Sequence, residues 1–483
     1  MIKKKDVTTL ELDVETSGVD FFMDQNVSIS GKIHKNGEEI DFFDESCRRD
    51  EWKVPSPEAL LINNFCLDKL SQETNSSRQL LERFFNFVEK NQPDLVLGHN
   101  LSFDINFIAC QSYQHLICPD AYYLKIGRVA ACTLAMSRAS HALHGSLGIN
   151  IELSEEGFPQ FDLTSLCRAN GLPTPDHSSA QDIRASEKLG DLIEEVNPDI
   201  FRLGVECGNK RRSQQLVKRD AYFISAYGSR ENFAALPLTP LAYSEKLSSF
   251  LCLDLTKNLK EFETLKPREI AEMMIGPEFS KLPFKRFKVN KGFVVADQNI
   301  YHGCLKTDLT QQELFRKASE ARRSPYLNEQ GKQILKWVSA LYEEDSPRLE
   351  KSIFQSFLSS EEKSFIKALN LLPRTEDKWA TIEKLEGKLP CNRLARLGRR
   401  MVLQNFPEHA PCLQRRKFEG WCQRRVSSTS SESWQTLYSA FSKLILLRQQ
   451  HPEKSSRLDA IEKYYRELAK QYGVSLPLKY PEV

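Results

Sequence analysis

Strand-like and helix-like patterns alternate across residues 1–200, which confines the first part of the chain to an α/β layered fold. Val7–Glu15 alternates apolar and polar residues at period two. Val27–Ile33 and the stretch 39–43 read as further strands, joined by a turn at Lys35-Asn36-Gly37. Leu80, Leu81, Phe84, Phe85 and Val88 keep the i, i+3, i+4 spacing of an amphipathic helix. Pro93–Gly98 reads as a short buried strand, and residues 178–196 as a closing helix that buries Ala185, Leu189, Leu192 and Val196.

Near residue 200 the texture changes. Short strand candidates follow at Tyr222–Ala226, Phe250–Leu255, Phe284–Val289 and Gly292–Ala296, which predicts a small β-rich domain to about residue 305. From Leu309 onward the periodicity is helical almost throughout, broken at Pro325, Pro347, Pro373, Pro407 and the Ser427–Ser433 cluster. The expected division is therefore 1–200, 201–305 and 306–483, an α/β domain followed by a β-rich and then a helical one.

Charge divides along the same line. Residues 1–200 carry 18 Lys and Arg against 32 Asp and Glu, a net of −14; the remainder carries 49 against 33, a net of +16. Two halves of opposite sign suggest that one of them grips a polyanion, although two solvated charged surfaces would give the same count. The 12 cysteines are scattered singly with no Cys-x-x-Cys pair, which disfavours a zinc cluster and a disulfide framework. No Gly-x4-Gly-Lys-Ser/Thr loop is present, so a P-loop ATPase or helicase is set aside. No apolar run approaches the ~18 residues that span a bilayer, and no secretory leader pattern opens the chain, so a cytoplasmic protein without membrane contact is expected.

Three short segments could carry chemistry. In Asp13-Val14-Glu15-Thr16 the two carboxylates lie on one face of a strand, with Cα atoms about 6.5–7 Å apart. Convergent carboxylates repel unless a cation lies between them, and hard oxygen donors suit Mg²⁺ or Mn²⁺. The plainer alternative is a solvent-facing acidic strand. In Gly98-His99-Asn100-Leu101-Ser102-Phe103-Asp104 an apolar strand turns into a helix, a corner where ligands sit in α/β sheets. Asn100 could equally serve the turn, and Asp104 the helix dipole. In Asp176-His177-Ser178-Ser179-Ala180-Gln181-Asp182 a histidine precedes a helix and an aspartate lies within it. Asp176 there could simply cap the helix.

Taken in order, these segments resemble the three-motif signature of the DEDDh 3′→5′ exonucleases, which have an RNase H-like α/β fold. Phe161-Asp162-Leu163, Leu166, Ala169-Asn170-Gly171 and His177 are similar to the segment before the third motif of the bacterial exonuclease I family. Asn209-Lys210, Pro240-Leu241-Ala242, Asp254-Leu255 and Val289-Asn290-Lys291 resemble its SH3-like domain. Phe354–Leu371 and Arg393–Pro407 resemble its helical domain. The resemblance implies metal-binding carboxylates at Asp13, Glu15, Asp104 and Asp182 and a general base at His177. It implies two Mg²⁺ ions, for which Mn²⁺ could substitute. Asp13 would bridge both ions, Glu15 and Asp182 would serve the nucleophile side, and Asp104 the leaving-group side. Neutral His177 would take the proton of the attacking water. Glu11, on the same strand face as Asp13, departs from the family, where an apolar residue is usual. Either it lies beneath the site and perturbs metal affinity, or it turns to solvent or a basic partner; the second is expected.

The implied reaction is 3′→5′ hydrolysis of single-stranded DNA with a free 3′ end to 5′-mononucleotides, in DNA repair and recombination. Phosphates call for cations and single strands for aromatic faces. Lys210, Arg211, Arg212, Lys285 and Lys288, with Tyr222, Phe223, Tyr227, Phe284 and Phe287, offer both in the β-rich region, and Arg393–Arg425 in the helical one. By the same resemblance the three domains form a clamp around one strand, a monomer suffices, and the acidic tail of single-stranded DNA-binding protein is a partner. An exoribonuclease or proofreading-type exonuclease shares the five site residues, but its small relatives lack the two further domains. A non-catalytic single-stranded-DNA-binding scaffold is the reading from another class, and retention of all five residues speaks against it.

Overall fold

The structure is a computed structural model that describes residues 4–63, 67–117, 129–175, 179–228, 233–262, 264–289, 291–342, 348–354, 356, 358–373 and 376–477. Its first sheet has five strands in the order β3-β2-β1-β4-β5: β1 (Thr9–Thr16), β2 (Asn26–Lys35), β3 (Glu38–Ser46), β4 (Leu95–Gly98) and β5 (Val129–Cys132). β1 pairs antiparallel with β2, and β2 with β3, whereas β1–β4 and β4–β5 are parallel, giving a mixed sheet. The turn at Asn36-Gly37 joins β2 to β3, and both residues take the positive φ expected of a tight hairpin.

Four helices pack around this sheet and shape the site: α1 (Ser77–Asn91), α2 (Ser102–Gln114), α3 (Thr133–His144) and α4 (Ser179–Val196). The α1 helix starts with a capping box in which Ser76 and Gln79 satisfy each other's backbone N–H groups. It buries Leu80, Leu81 and Phe84 against Leu10, Ile29 and Ile33 on one face of the sheet. The α4 helix lies against β1 and β2 and buries Ile183, Ala185, Leu189 and Ile193. The predicted core face of α4 fails at its end, where Val196 is 41% exposed and Ile193 holds the interior.

A second sheet, ordered β6-β7-β8-β9, is antiparallel throughout: β6 (Phe223–Tyr227), β7 (Ala234–Ser244), β8 (Ser249–Asp254) and β9 (Phe284–Lys288). β7 has no counterpart among the expected strands, and its Pro237 and Pro240 run against local strand propensity. Pro240 sits at a register shift before Ala242, whereas Pro237 pairs in register with Ile224. Gly292–Ala296, expected as a strand, contributes only an isolated bridge from Ala296 to Ile224.

The helices Gln311–Arg323 and Pro325–Leu341 pack on the second sheet, whereas those from Ser360 onward fold back onto the first sheet's layer. Cys110, Tyr113 and Leu116, in and just after α2, share a core with Phe365, Ile366, Leu394 and Leu397. Leu60, Leu61 and Leu70 share another with Phe441, Leu444, Ile461 and Tyr465. A third core runs without interruption from Leu97, Met136 and Leu189 to Ile224, Leu251 and Ile334, joining the two sheets.

Candidate active site

β1 outruns its parallel neighbour, and that overhang builds the site. β4 pairs with β1 only over Thr9–Glu11 and ends at Gly98, so the second half of β1 leaves that side open. Gly98 is required here, because a Cβ would meet the Leu12 carbonyl oxygen at 2.7 Å. Asn100 then takes a left-handed φ of 58°, and the chain turns into α2. Asp104, in the first turn of α2, is thereby brought to the open side of β1. Its Oδ1 accepts a hydrogen bond at 3.1 Å from the N–H of Val14, the residue between Asp13 and Glu15. Both the dipole role and the metal role are compatible with this place.

Asp182, in the first turn of α4, completes the group. Oxygens of Asp13, Glu15 and Asp182 lie within 4.8 Å of one another, the one such cluster among the described residues. Burial, reinforced by the Asp182 carboxylate, pushes the Asp13 carboxyl up to about 8. Burial and Asp13 likewise raise Asp104 well above the carboxylate range. Asp13, Glu15 and Asp182 form an all-oxygen donor set for a hard divalent cation, whose charge would offset their repulsion; Asp104 adjoins them through Val14 but is not in the cluster. The residues therefore fit a metal of that class. His177, the expected general base, lies outside the described residues.

Glu11 is not solvent-facing. It is 1% exposed and takes basic partners, with Lys4 Nζ at 3.0 Å and His34 Nδ1 at 2.9 Å. The expected partner is present and the expected solvent is not.

At the corner that carries Asp104, two adjoining clefts of about 580 and 380 Å³ share Asn100, Leu134, Arg138, Gly228 and Phe233 in their walls; none of the four carboxylates lines either one. The smaller is lined by Lys285, Arg286, Lys288 and Lys291 with Tyr227, Phe284 and Phe293. Burial, followed by Arg286 and Lys291, lowers the Lys288 ammonium to about 8. This crowd of cations is the counterpart of the crowded carboxylates, since it gains stability when an anion enters. Lys291 Nζ donates to Ser102 Oγ at 2.9 Å and ties the second sheet to the 98–104 corner. His99 forms part of the larger cleft's wall, held by Thr133 Oγ1 and the Phe161 carbonyl at 3.0 Å each. Burial lowers it to about 4, so it is neutral and unsuited to bind phosphate.

The five basic residues singled out from sequence separate. Lys285 and Lys288 line the cleft, although Lys285 Nζ points to the Ser280 carbonyl at 3.1 Å. Lys210 pairs with Glu245 at 2.6 Å and Arg212 with Glu206 at 3.0 Å, while Arg211 is exposed on the same helix. Tyr222, Phe223, Phe284 and Phe287 are buried, leaving Tyr227 as the partly exposed aromatic of that set. Arg393 and Arg400 are buried against Glu362 and Glu350, and Arg425 sits over the rings of Trp52 and Trp434. The sequence reading misses Arg138. It lines both clefts, its Nε has no hydrogen-bond partner, and its guanidinium sits over Phe161. An arginine on an otherwise small and apolar helical stretch was the available signal.

No protein-family model matches the chain. Exodeoxyribonuclease I of Haemophilus influenzae is 27% identical over 229 residues, a match that spans 45% of this chain and 46% of that protein. Exodeoxyribonuclease I of Escherichia coli is 20% identical over 489 residues, spanning 96% and 99%. Among solved structures, E. coli exonuclease I in complex with a dA16 oligonucleotide superposes with a TM-score of 0.81 at 19% identity, covering 95% of this chain and 99% of that one. An SSB/exonuclease I structure with an inhibitor gives 0.79 at 19% identity, with the same coverage. In sequence and in fold alike, this chain resembles bacterial exonuclease I from end to end.

Proposed function

We propose that the chain is a metal-dependent 3′→5′ exodeoxyribonuclease that shortens single-stranded DNA to 5′-mononucleotides. The observation that carries this is the convergence of Asp13, Glu15 and Asp182, with Asp104 docked on the same strand; Asn100 and Ser102 of the corner before Asp104 also line a cleft of cations and aromatic rings. Asp13, Glu15, Asp104 and Asp182 would hold two Mg²⁺ ions, or Mn²⁺ in their place, which supply activation of water and stabilisation of the leaving 3′-oxygen. Arg138, Lys288 and Lys291 orient the strand by its phosphates, and Tyr227 and Phe293 offer faces for bases. His177, by resemblance, accepts the proton of the attacking water. By the same resemblance the second sheet would be the SH3-like domain, and with the C-terminal helices it would form the clamp. A partner with the acidic tail of single-stranded DNA-binding protein fits the same resemblance, as do repair work and a cytoplasmic monomer.

The test uses 5′-labelled single-stranded DNA, the same strand in a blunt duplex, and matched RNA, each with Mg²⁺ or EDTA. Stepwise shortening of the single-stranded DNA alone is expected, lost with EDTA and reduced on the order of 10³-fold or more in Asp182→Ala. Equal loss of RNA would move the assignment to an exoribonuclease. Tight binding without cleavage would leave a scaffold.

A further inference from the structure

Behind the carboxylate site, towards the start of β1, lies a cluster of ion pairs that the proposed reaction does not use. Glu11 precedes Asp13 by two residues and so shares its strand face. Its Oε2 lies 2.9 Å from His34 Nδ1 on β2, and its Oε1 3.0 Å from Lys4 Nζ. The other ring nitrogen of His34 faces Glu187 of α4 at 3.4 Å. Lys4 Nζ also reaches Asp191 of α4 at 2.8 Å, and Lys32 of β2 reaches Glu187 at 3.2 Å. Lys4 and His34 each bridge Glu11 to an acid of the helix, and Lys32 holds Glu187 from β2. The hydrogen bond to Glu11 raises the His34 imidazole above its ordinary value.

We propose that Glu11 is a positioning residue: through His34 and Lys4 it clamps α4 to β1 and thereby sets where Asp182 stands relative to Asp13 and Glu15. The inference rests on the metal-dependent reading of the site. Of the three clustered carboxylates, Asp182 alone comes from another element, so its place depends on how α4 sits on the sheet. Apolar packing under the helix, such as Gly190 against Leu97, sets how closely the helix lies on the sheet. Charged hydrogen bonds are directional, and Glu187 follows Asp182 by five residues, about 7.5 Å along the helix. The clamp therefore holds the helix to the strand a turn and a half from Asp182. An apolar residue at position 11 would remove the anchor of both cations.

The experiment measures Mn²⁺ binding to the full-length protein without DNA, by the electron paramagnetic resonance signal of free Mn²⁺. Melting temperature in EDTA and the KM for a single-stranded oligonucleotide are measured alongside. Glu11→Gln is expected to weaken Mn²⁺ binding about tenfold, the usual effect of losing an outer partner of a metal ligand, with KM changed less than about twofold. The variant carrying both Glu11→Leu and His34→Leu removes the pair as a unit. Lys4 keeps Asp191 and Glu187 keeps Lys32. It is expected to melt close to the wild type and still to bind Mn²⁺ about tenfold more weakly. Wild-type Mn²⁺ affinity in the leucine pair overturns the proposal, because the cluster is then only a stabilising element, and it decides the matter even if Glu11→Gln fails to fold. Absence of Mn²⁺ binding in the wild type overturns the metal reading itself, and the inference with it.

Discussion

Removing one charge from the carboxylate cluster should make the metal-free protein more stable, and Asp13→Asn is the substitution that shows it. The folded chain holds the Asp13 proton far more tightly than an unfolded chain, with the carboxyl raised from its ordinary 3.8 to about 8. The stability tied to that proton is fully present below the unfolded value and is lost as pH rises through the folded one, levelling off above about 8. At about 1.4 kcal/mol for each tenfold change in proton affinity, the full shift corresponds to roughly 6 kcal/mol. The carboxylate is only partly buried, and water screens the pair, so about 2–3 kcal/mol should survive. Asparagine keeps the shape and cannot ionise. In EDTA at pH 8.5 or so, Asp13→Asn should therefore melt roughly 2–5 °C above the wild type. The difference should shrink as pH is lowered, because the wild type regains its proton. Mg²⁺ should raise the wild-type melting temperature and leave that of Asp13→Asn nearly unchanged. The assay is a thermal melt followed by intrinsic fluorescence across a pH series, with and without Mg²⁺. A variant that melts at or below the wild type in EDTA at high pH would show that the four acids do not repel as described.

The cleft lysines carry a salt signature: replacing Lys288 and Lys291 together by alanine should reduce the slope of log affinity against log salt by about 0.7 for each phosphate that is no longer neutralised. An unchanged slope in a single-stranded DNA binding series would remove them from the path. Lys288, lowered to about 8, should also take up a proton when a phosphate arrives, so oligonucleotide binding near pH 8 should be accompanied by proton uptake measurable in buffers of different ionisation enthalpy. Gly98→Ala places a Cβ 2.7 Å from the Leu12 carbonyl oxygen. It should cost about 1–3 kcal/mol in a denaturation series and depress cleavage more than binding, since the corner that carries Asp104 must shift.

Much of the site was legible because its parts are local. A period-two strand places Asp13 and Glu15 on one side, and a strand-to-helix corner places Asp104 at the next strand's end. The order of the motifs then carries Asp182 to the same place. What was not legible is what depends on distant partners. Nothing near Glu11 in sequence says that Lys4 and His34 will surround it, with Glu187 and Asp191 beyond them. Lys210 and Arg212 read as free cations until Glu245 and Glu206 arrive from other turns of the chain. Arg138 is informative only once Phe161 and Gly228 close a cleft around it. In the fold, β7 was hidden because its prolines oppose local strand propensity and tertiary pairing overrides them.

The helix that delivers Asp104 has a second allegiance. Some three turns of helix separate Asp104 from Tyr113 and Leu116, whose side chains lie among Ile353, Leu394 and Met401, and the Tyr113 hydroxyl meets Ser352 Oγ at 3.1 Å. One end of this rod thus belongs to the sheet that carries the clustered carboxylates and the other to helices encoded some 250 residues later. A gene cut after the first sheet's last helix would yield a product with a greasy, unsatisfied rod end at its surface. Its acidic tip would lose its bearing at the same stroke. Shortening this chain to its first sheet would require redesigning that rod, and for the same reason harmful substitutions should map to the distant helices as well as to the motifs themselves.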